Sequence, residues 1–201
     1  RHGNPQVIFM ETVREAASGE GVCSRVIGDQ RHSGLVRVSV HPARRGEGSA
    51  VTTELPAGAQ TAVAMRAAED ALQAGVGGCV MTDTRVRVES VEPFEGGLTE
   101  LGGRMAALDA MQRALSAASP VRLEPIMSVE LRTPAEYVGE CVNLLGIKNA
   151  RILDVRSPEG GSEIMALAPM RQLFGFATEL RSRTKGKAFY SLTFSRYDTE
   201  N

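Results

Sequence analysis

The sequence predicts an α+β protein made of two units, and three observations support this class. The chain has 201 residues, 42% hydrophobic and 23% charged, which is enough for one large domain or two smaller ones. Each half contains both strand-forming runs and runs of helical spacing. A helical pattern ends at residues 117–120, and a strand pattern begins at Val121. We therefore expect two domains, at 1–121 and 122–201.

The first unit begins with short strands and then changes its period. Apolar side chains recur at helical spacing over 60–74, and Gly75 stands where a residue of positive φ would end that helix. Residues 83–91 alternate as a half-buried strand, and 101–115 carry one apolar helical face. The strand-forming runs before these elements are 5–13, 22–26, 35–41 and 50–55.

The second unit has the order β-α-β-β-α-β, which is the split βαβ arrangement of a ferredoxin-like sandwich. Thr133, Pro134 and Glu136 form a capping box, so we expect a helix with Thr133 as its N-cap that runs to residue 145. Residues 158–161 would turn the chain between the second and third strands. The other predicted elements are strands at 126–132, 149–156, 162–168 and 189–197 and a helix at 170–180.

Composition indicates a cytoplasmic protein. No apolar run approaches the roughly 20 residues of a membrane span, and residues 1–6 lack the apolar core of a signal peptide. The three cysteines, Cys23, Cys79 and Cys141, are odd in number and far apart, so neither a disulfide framework nor a C-x-x-C pair is expected. This pattern fits a reducing compartment and no membrane partner.

The motifs for the common catalytic sites are missing from the sequence. The phosphate-binding pattern G-x-x-x-x-G-K-[ST] does not occur, so we expect no GTP or ATP hydrolysis by this chain. Scattered histidines without an H-E-x-x-H pattern give no metal site. One enzymatic alternative stays open, a Cys23 thiolate supported by His32 or His41. We otherwise expect no catalytic residue.

Two features favour contact with nucleic acid. Residues 28–34 and 93–97 are polar, glycine-bounded loops that would form a projecting tip if the strand order brings them to one end of the first unit. A run of cations without an acidic residue follows the last predicted helix, and cations that neutralise phosphates give salt-dependent affinity. A solvated loop shows the same pattern and is the alternative. The run comprises Arg181, Arg183, Lys185 and Lys187.

Several strings of residues resemble the translation elongation factor G family. The junction between the fourth and fifth domains of that family is similar to LEPIMSVELRTPAEYVGE at 123–140, and the end of the fifth domain to FGFATELRSRTKGKAFYSLTFSRYD at 174–198. The first strand of the fourth domain resembles NPQVIFMETV at 4–13, and its glycine-rich tip loop resembles 28–34. The GTPase domain and the two domains after it have no counterpart here, so we expect a C-terminal fragment of a longer protein.

The resemblance implies a fold and a function. The fold would be an αβ domain with a left-handed βαβ-type unit, followed by a ferredoxin-like sandwich. The function would be to promote GTP-dependent movement of tRNA and mRNA, with the ribosome as partner through ribosomal RNA and the tRNA–mRNA complex at the decoding site. GTP and Mg²⁺ would belong to the absent GTPase domain, and no cofactor is expected in this fragment.

The resemblance also assigns residues to ribosome contact, with departures from the family pattern. Phe94 stands where the family commonly has a histidine, and Asp29 adds a negative charge, so we expect a paralogue. Phe94 would either stack on a base or cap the small core. Alternatives are a role in ribosome recycling or ribosomal protection, or a free-standing RNA-binding protein. The implied tip is Gly28, Asp29, Gln30, Arg31, His32, Ser33, Gly34, Phe94, Glu95, Gly96 and Gly97, and Arg181, Arg183, Lys185 and Lys187 would face the ribosome in the second domain.

Overall fold

The computed structural model describes residues 7–158 and 160–199 and divides into two compact units. The first unit is Phe9–Leu123, and the second is Glu124–Asn201 together with Arg1–Ile8. The α+β class predicted from the sequence is confirmed. Within the described residues, no helix is both long and apolar enough to cross a membrane. Residues 4–6 of the predicted first strand and Glu159 of the predicted turn lie outside the described residues.

The first unit contains a four-stranded sheet covered by two helices. In chain order its elements are β1 (Met10–Val13), β2 (Ala17–Ile27), β3 (Gln30–Pro42), β4 (Ala50–Thr53), α1 (Ala59–Ala74), β5 (Val80–Met81), β6 (Thr84–Glu92), α2 (Glu100–Ala117) and the start of β7 (Pro120–Thr133). The sheet order is β2-β3-β6-β4, with β4 parallel to β6 and the other pairs antiparallel. A separate pairing joins β1 to β5 and to the start of β7.

One face of this sheet is buried because its strands alternate. Val36, Val38 and Val40 of β3 are fully buried, and α1 and α2 pack over them with small side chains. The helix predicted at 60–74 is confirmed, and it ends at Gly75, which has a φ of 58°. Alanines dominate the buried face of α2, and they allow the helix to lie very close to β2.

The loop predicted at 28–34 is wrong. A two-residue turn, Gly28 and Asp29, joins β2 to β3, and the strand pairing continues as far as Ile27 opposite Gln30. Gly28 has a φ of 61°, and a first central residue of positive φ is what such a short hairpin turn requires. Polar residues in this stretch lie on a strand that projects, so their polarity does not mark a loop. The short strand β5 was not predicted.

The second unit has the predicted β-α-β-β-α-β order. After β7 come a 3₁₀ turn (Ala135–Tyr137), α3 (Val138–Ile147), β8 (Arg151–Arg156), β9 (Ser162–Pro169), a 3₁₀ turn (Met170–Leu173), α4 (Phe176–Arg183) and β10 (Phe189–Thr199). The strands lie in the order β10-β7-β9-β8. Leu131 and Ile164 from the sheet pack with Leu144, Phe176 and Leu180 from the helices to form a buried core.

Two helix predictions in this unit are wrong in detail. Thr133 ends β7 and caps no helix, because Pro134 keeps an extended ψ of 148° and α3 begins only at Val138. The helix predicted at 170–180 is interrupted, since Phe174 is extended and Gly175 has a φ of 78°. Lys148 stabilises this interruption by donating to the Phe174 carbonyl oxygen over 3.3 Å.

Candidate nucleic-acid interface

The second predicted tip segment is a tight turn that follows β6. Phe94 and Gly97 exchange two backbone hydrogen bonds, of 2.8 and 3.2 Å. Glu95 and Gly96 between them have φ values of 45° and 83°, and two central residues of positive φ define a type I′ turn. Glycine adopts such a conformation without strain, which explains its place after Glu95.

The structure brings the two tip segments together. The Arg31 guanidinium lies 3.1 Å from a Glu95 carboxylate oxygen, and the Ser24 hydroxyl donates to the same carboxylate. Ser33 and Thr99 exchange hydrogen bonds: the Thr99 amide donates to the Ser33 carbonyl oxygen over 3.0 Å, and the Ser33 amide donates to the Thr99 hydroxyl over 3.3 Å. The hairpin end and the residues before α2 therefore form one continuous tip.

The residues assigned to the tip differ in exposure. Ser33 is 2% exposed and Gly34 is buried, and a Cβ on Gly34 would lie 3.0 Å from the Gly103 amide nitrogen. These two residues support the tip, and the expectation that they contact a partner is corrected for this conformation. His32, Phe94 and Gly97 are half-buried. The exposed members are Gly28, Asp29, Gln30, Arg31, Glu95 and Gly96.

The tip carries no excess of positive charge. Arg31 is neutralised by Glu95, with both side chains more than half exposed. Arg25 and Asp29 are exposed, have opposite signs, and form no ion pair with any described residue. Attraction of phosphates by this surface is therefore weak.

Sequence reasoning missed several residues of the tip. Val26 and Ile27 at the end of β2 are 64% and 50% exposed, so the hairpin ends in two aliphatic side chains. Ser24 and Thr99 supply the hydroxyl groups that join the two segments. The alternation of β2 continues to Ile27, and this pattern could have revealed the exposed pair.

The cationic run of the second unit divides into two neutralised and two available charges. Arg183 lies 3.5 Å from the Glu140 carboxylate and donates to Asn143 over 3.0 Å. Lys187 lies 2.9 Å from the Glu136 carboxylate. Arg181 and Lys185 are exposed and make no ion pair with any residue that the structure describes. These two side chains are the ones free to neutralise a phosphate.

The contact between Lys187 and Glu136 shifts both titrations. The hydrogen bond from Lys187, followed by its charge, holds the pKa of Glu136 below its usual range. The same hydrogen bond and charge raise the pKa of Lys187. Lys187 also lies 5.4 Å from the centre of the Tyr137 ring, an arrangement that favours the cation.

The residues proposed for cysteine catalysis do not assemble. The buried Cys23 thiol donates to the backbone carbonyl oxygen of His32 over 3.5 Å, and not to its imidazole. Burial raises the pKa of the Cys141 thiol, which opposes a thiolate. Among residues 7–158 and 160–199, no cluster of three His, Cys, Asp or Glu side chains is arranged to hold a metal ion.

Comparison with known proteins shows similarity along nearly the whole chain. Residues 121–200 match the family described as elongation factor G C-terminus. Elongation factor G 2 of Syntrophus aciditrophicus is 34% identical over 201 residues, which cover 98% of this chain and 30% of that protein. Elongation factor G of Aquifex pyrophilus is 31% identical, with 98% and 29% covered. A crystal structure from Thermus thermophilus has a TM-score of 0.82 at 25% identity, covering 98% of this chain and 30% of that one.

These similarities define the class of protein as a translation elongation factor. Residues 121–200 belong to the elongation factor G C-terminal family, and the chain as a whole corresponds to the C-terminal part of elongation factor G or of an elongation factor G-like paralogue. The chain spans 30% of the length of the first of these relatives. The matched C-terminal family does not include the GTPase domain.

Proposed function

We propose that this chain is the ribosome-contacting part of an elongation factor G-like translational GTPase that promotes GTP-dependent movement of tRNA and mRNA in the cytoplasm. The observation that carries the proposal is the similarity to elongation factor G 2 over 98% of the chain, which includes both units. The projecting tip would meet the tRNA–mRNA complex at the decoding site. The second unit would face ribosomal RNA.

The geometry supports a mechanical role without catalysis by this chain. The hairpin of β2 and β3 is backed by α2 along its length, so the tip is stiff enough to hold a position. Arg181 and Lys185 would supply the phosphate contacts. The residues present do not fit GTP or Mg²⁺, since the phosphate-binding motif is missing from the sequence and no acidic cluster occurs in the described residues. Both would be held by the GTPase domain of the whole protein.

The names of the relatives support a paralogue. Three of the similar proteins carry the name elongation factor G 2. Phe94 and Asp29 depart from the family pattern at the tip, as a paralogue would. Kinetic measurement of mRNA movement and of ribosome splitting with the whole protein distinguishes translocation from recycling. We expect mRNA movement, and splitting alone would assign the recycling role.

Ribosome binding tests the contact surface. In the whole protein, changing Arg181 and Lys185 to Gln should weaken cosedimentation with ribosomes. It should also reduce the slope of log affinity against log salt by about 1.5, since each neutralised phosphate contributes roughly 0.7 to 0.9. The matched control changes Arg183 and Lys187 to Gln, which removes the same charge from residues already paired with glutamates. Equal slopes for the two variants would contradict the proposed surface.

A further inference from the structure

A cleft of about 430 Å³ opens beside the tip, between the start of β3 and the first turns of α2. Its walls are formed by Gln30, His32, Thr99, Glu100, Leu101 and Arg104. Only Gln30 and His32 among these belong to the predicted tip. The cleft combines polar side chains of different kinds with an apolar surface, because Leu101 is 39% exposed.

Hydrogen bonds at Thr99 fix the protonation of His32. The Thr99 hydroxyl oxygen accepts from the amides of Gly102 and Ser33, over 3.1 and 3.3 Å, and lies 3.4 Å from His32 Nδ1. Because that oxygen already accepts twice, we assign its own proton to a hydrogen bond toward Nδ1. His32 is then the tautomer that carries its proton on Nε2. The half-buried ring therefore presents a donor of fixed orientation in the cleft wall.

The charges in the cleft disfavour a phosphate. The Arg104 guanidinium is 2.8 Å from the Asp70 carboxylate, which neutralises it. Glu100 is exposed and forms no ion pair with any residue in the described ranges. An anion placed here would meet a carboxylate without a compensating cation, whereas an uncharged ligand would meet an acceptor in Glu100 and both a donor and an acceptor in the Gln30 amide.

We propose that this cleft binds an unpaired nucleobase that carries an exocyclic amino group, an inference that rests on the proposed contact of the tip with RNA. The His32 Nε2 proton would be donated to a ring nitrogen, and the amino group would donate to the Glu100 carboxylate. The face of the base would pack on Leu101. Unpaired bases are recognised in this way, through their edges and their faces. Adenine, cytosine and guanine satisfy these contacts, whereas uracil lacks the amino group.

Nucleosides test the cleft without any phosphate. The 201-residue chain, labelled with ¹⁵N, is titrated with adenosine, cytidine, guanosine and uridine, and separately with inorganic phosphate. We expect shifts of the His32 ring and of the Leu101 and Arg104 amides with the first three nucleosides. Uridine should bind at least about fivefold more weakly, the effect of one lost hydrogen bond. Equal binding of uridine, or shifts with phosphate alone, would overturn the assignment.

Matched variants locate the ligand. Gln30→Ala, His32→Ala and Leu101→Ala should each weaken nucleoside binding about fivefold. The controls are His41→Ala, an exposed histidine on the same strand, and Leu108→Ala, which is 36% exposed on the same helix, and both should bind within about twofold of the unchanged chain. The ¹⁵N spectrum shows whether each variant folds, and Gln30 is exposed, so its replacement leaves the core intact.

The same variants separate this inference from the proposed function. If the chain binds nucleosides as expected but the whole protein does not cosediment with ribosomes, the cleft stands and the proposed function fails. If the whole protein binds ribosomes and Gln30→Ala and His32→Ala bind nucleosides like the controls, the cleft is refuted and the proposed function stands.

Discussion

Replacing Gly19 with alanine should separate α2 from the sheet that carries the tip. Gly19 lies on the buried face of β2, directly under the helix. A Cβ at this position would be 2.7 Å from the Ala114 amide nitrogen and closer still to the Ala110 carbonyl oxygen. Ordinary contact requires roughly 3.5 Å, so the helix must move by about 1 Å. No side chain can rotate to relieve the clash, because both sides of it are backbone.

The expected cost follows from this geometry. Overpacking of a core typically costs 1 to 3 kcal/mol, and a clash between two backbones belongs at the upper end, so we expect about 3 kcal/mol. The gap opened along the buried alanines of α2 adds lost dispersion contacts. A protein of marginal stability would lose a large part of its free energy of unfolding.

The assay must report on this unit alone, because two units can unfold separately. Native-state hydrogen exchange of the α2 amides gives the local free energy of opening. Gly58→Ala is the control, since a Cβ there meets nothing within 4 Å and its φ of −172° suits any residue. We expect that control to lose less than about 1 kcal/mol. A loss below about 1 kcal/mol for Gly19→Ala would refute the close contact described here.

Two further predictions concern ionisable groups. The Glu136 carboxylate should titrate below its usual range, and Lys187→Gln should raise its NMR midpoint far more than Lys185→Gln, because Lys187 is its hydrogen-bond partner. The stabilisation from this pair should be lost as pH falls through the lowered pKa of Glu136 and as pH rises through the raised pKa of Lys187, which denaturant unfolding at several pH values checks. Cys79, which is half-buried, should react with iodoacetamide faster than the buried Cys23 and Cys141, and mass spectrometry of the modified peptides reports the order.

Periodicity was sufficient to predict the order of elements but not their ends. The helix over Ala59–Ala74 and its end at Gly75 follow from apolar spacing and one glycine, which are local properties. The start of α3 depends on the ψ of Pro134, and a capping box cannot specify that angle. The projecting strand from Gln30 was read as a loop because its outward residues are polar, although they pair in register with β2.

The candidate interface was predictable only in part, because its charges are set by partners distant in sequence. The sequence shows four cations in a row, yet Glu140 on α3 neutralises Arg183 and Glu136 neutralises Lys187. At the tip, Arg31 is paired with Glu95, which is 64 residues away. Charge counting along the chain overestimates both surfaces, since it cannot include pairings that the fold creates.

These pairings imply that the two proposed surfaces contribute differently to ribosome binding. The tip is electrically balanced and is held to α2 by the exchange of hydrogen bonds between Ser33 and Thr99, so it can impose a position while adding little salt-dependent affinity. Arg181 and Lys185 add affinity that depends on salt and little on RNA sequence. Substitutions at the tip should therefore alter the outcome of binding without changing the salt slope, whereas substitutions of the two cations should change the slope. A tip variant that changed the slope by as much as the two cations would show that Arg31 leaves Glu95 to meet a phosphate on the ribosome.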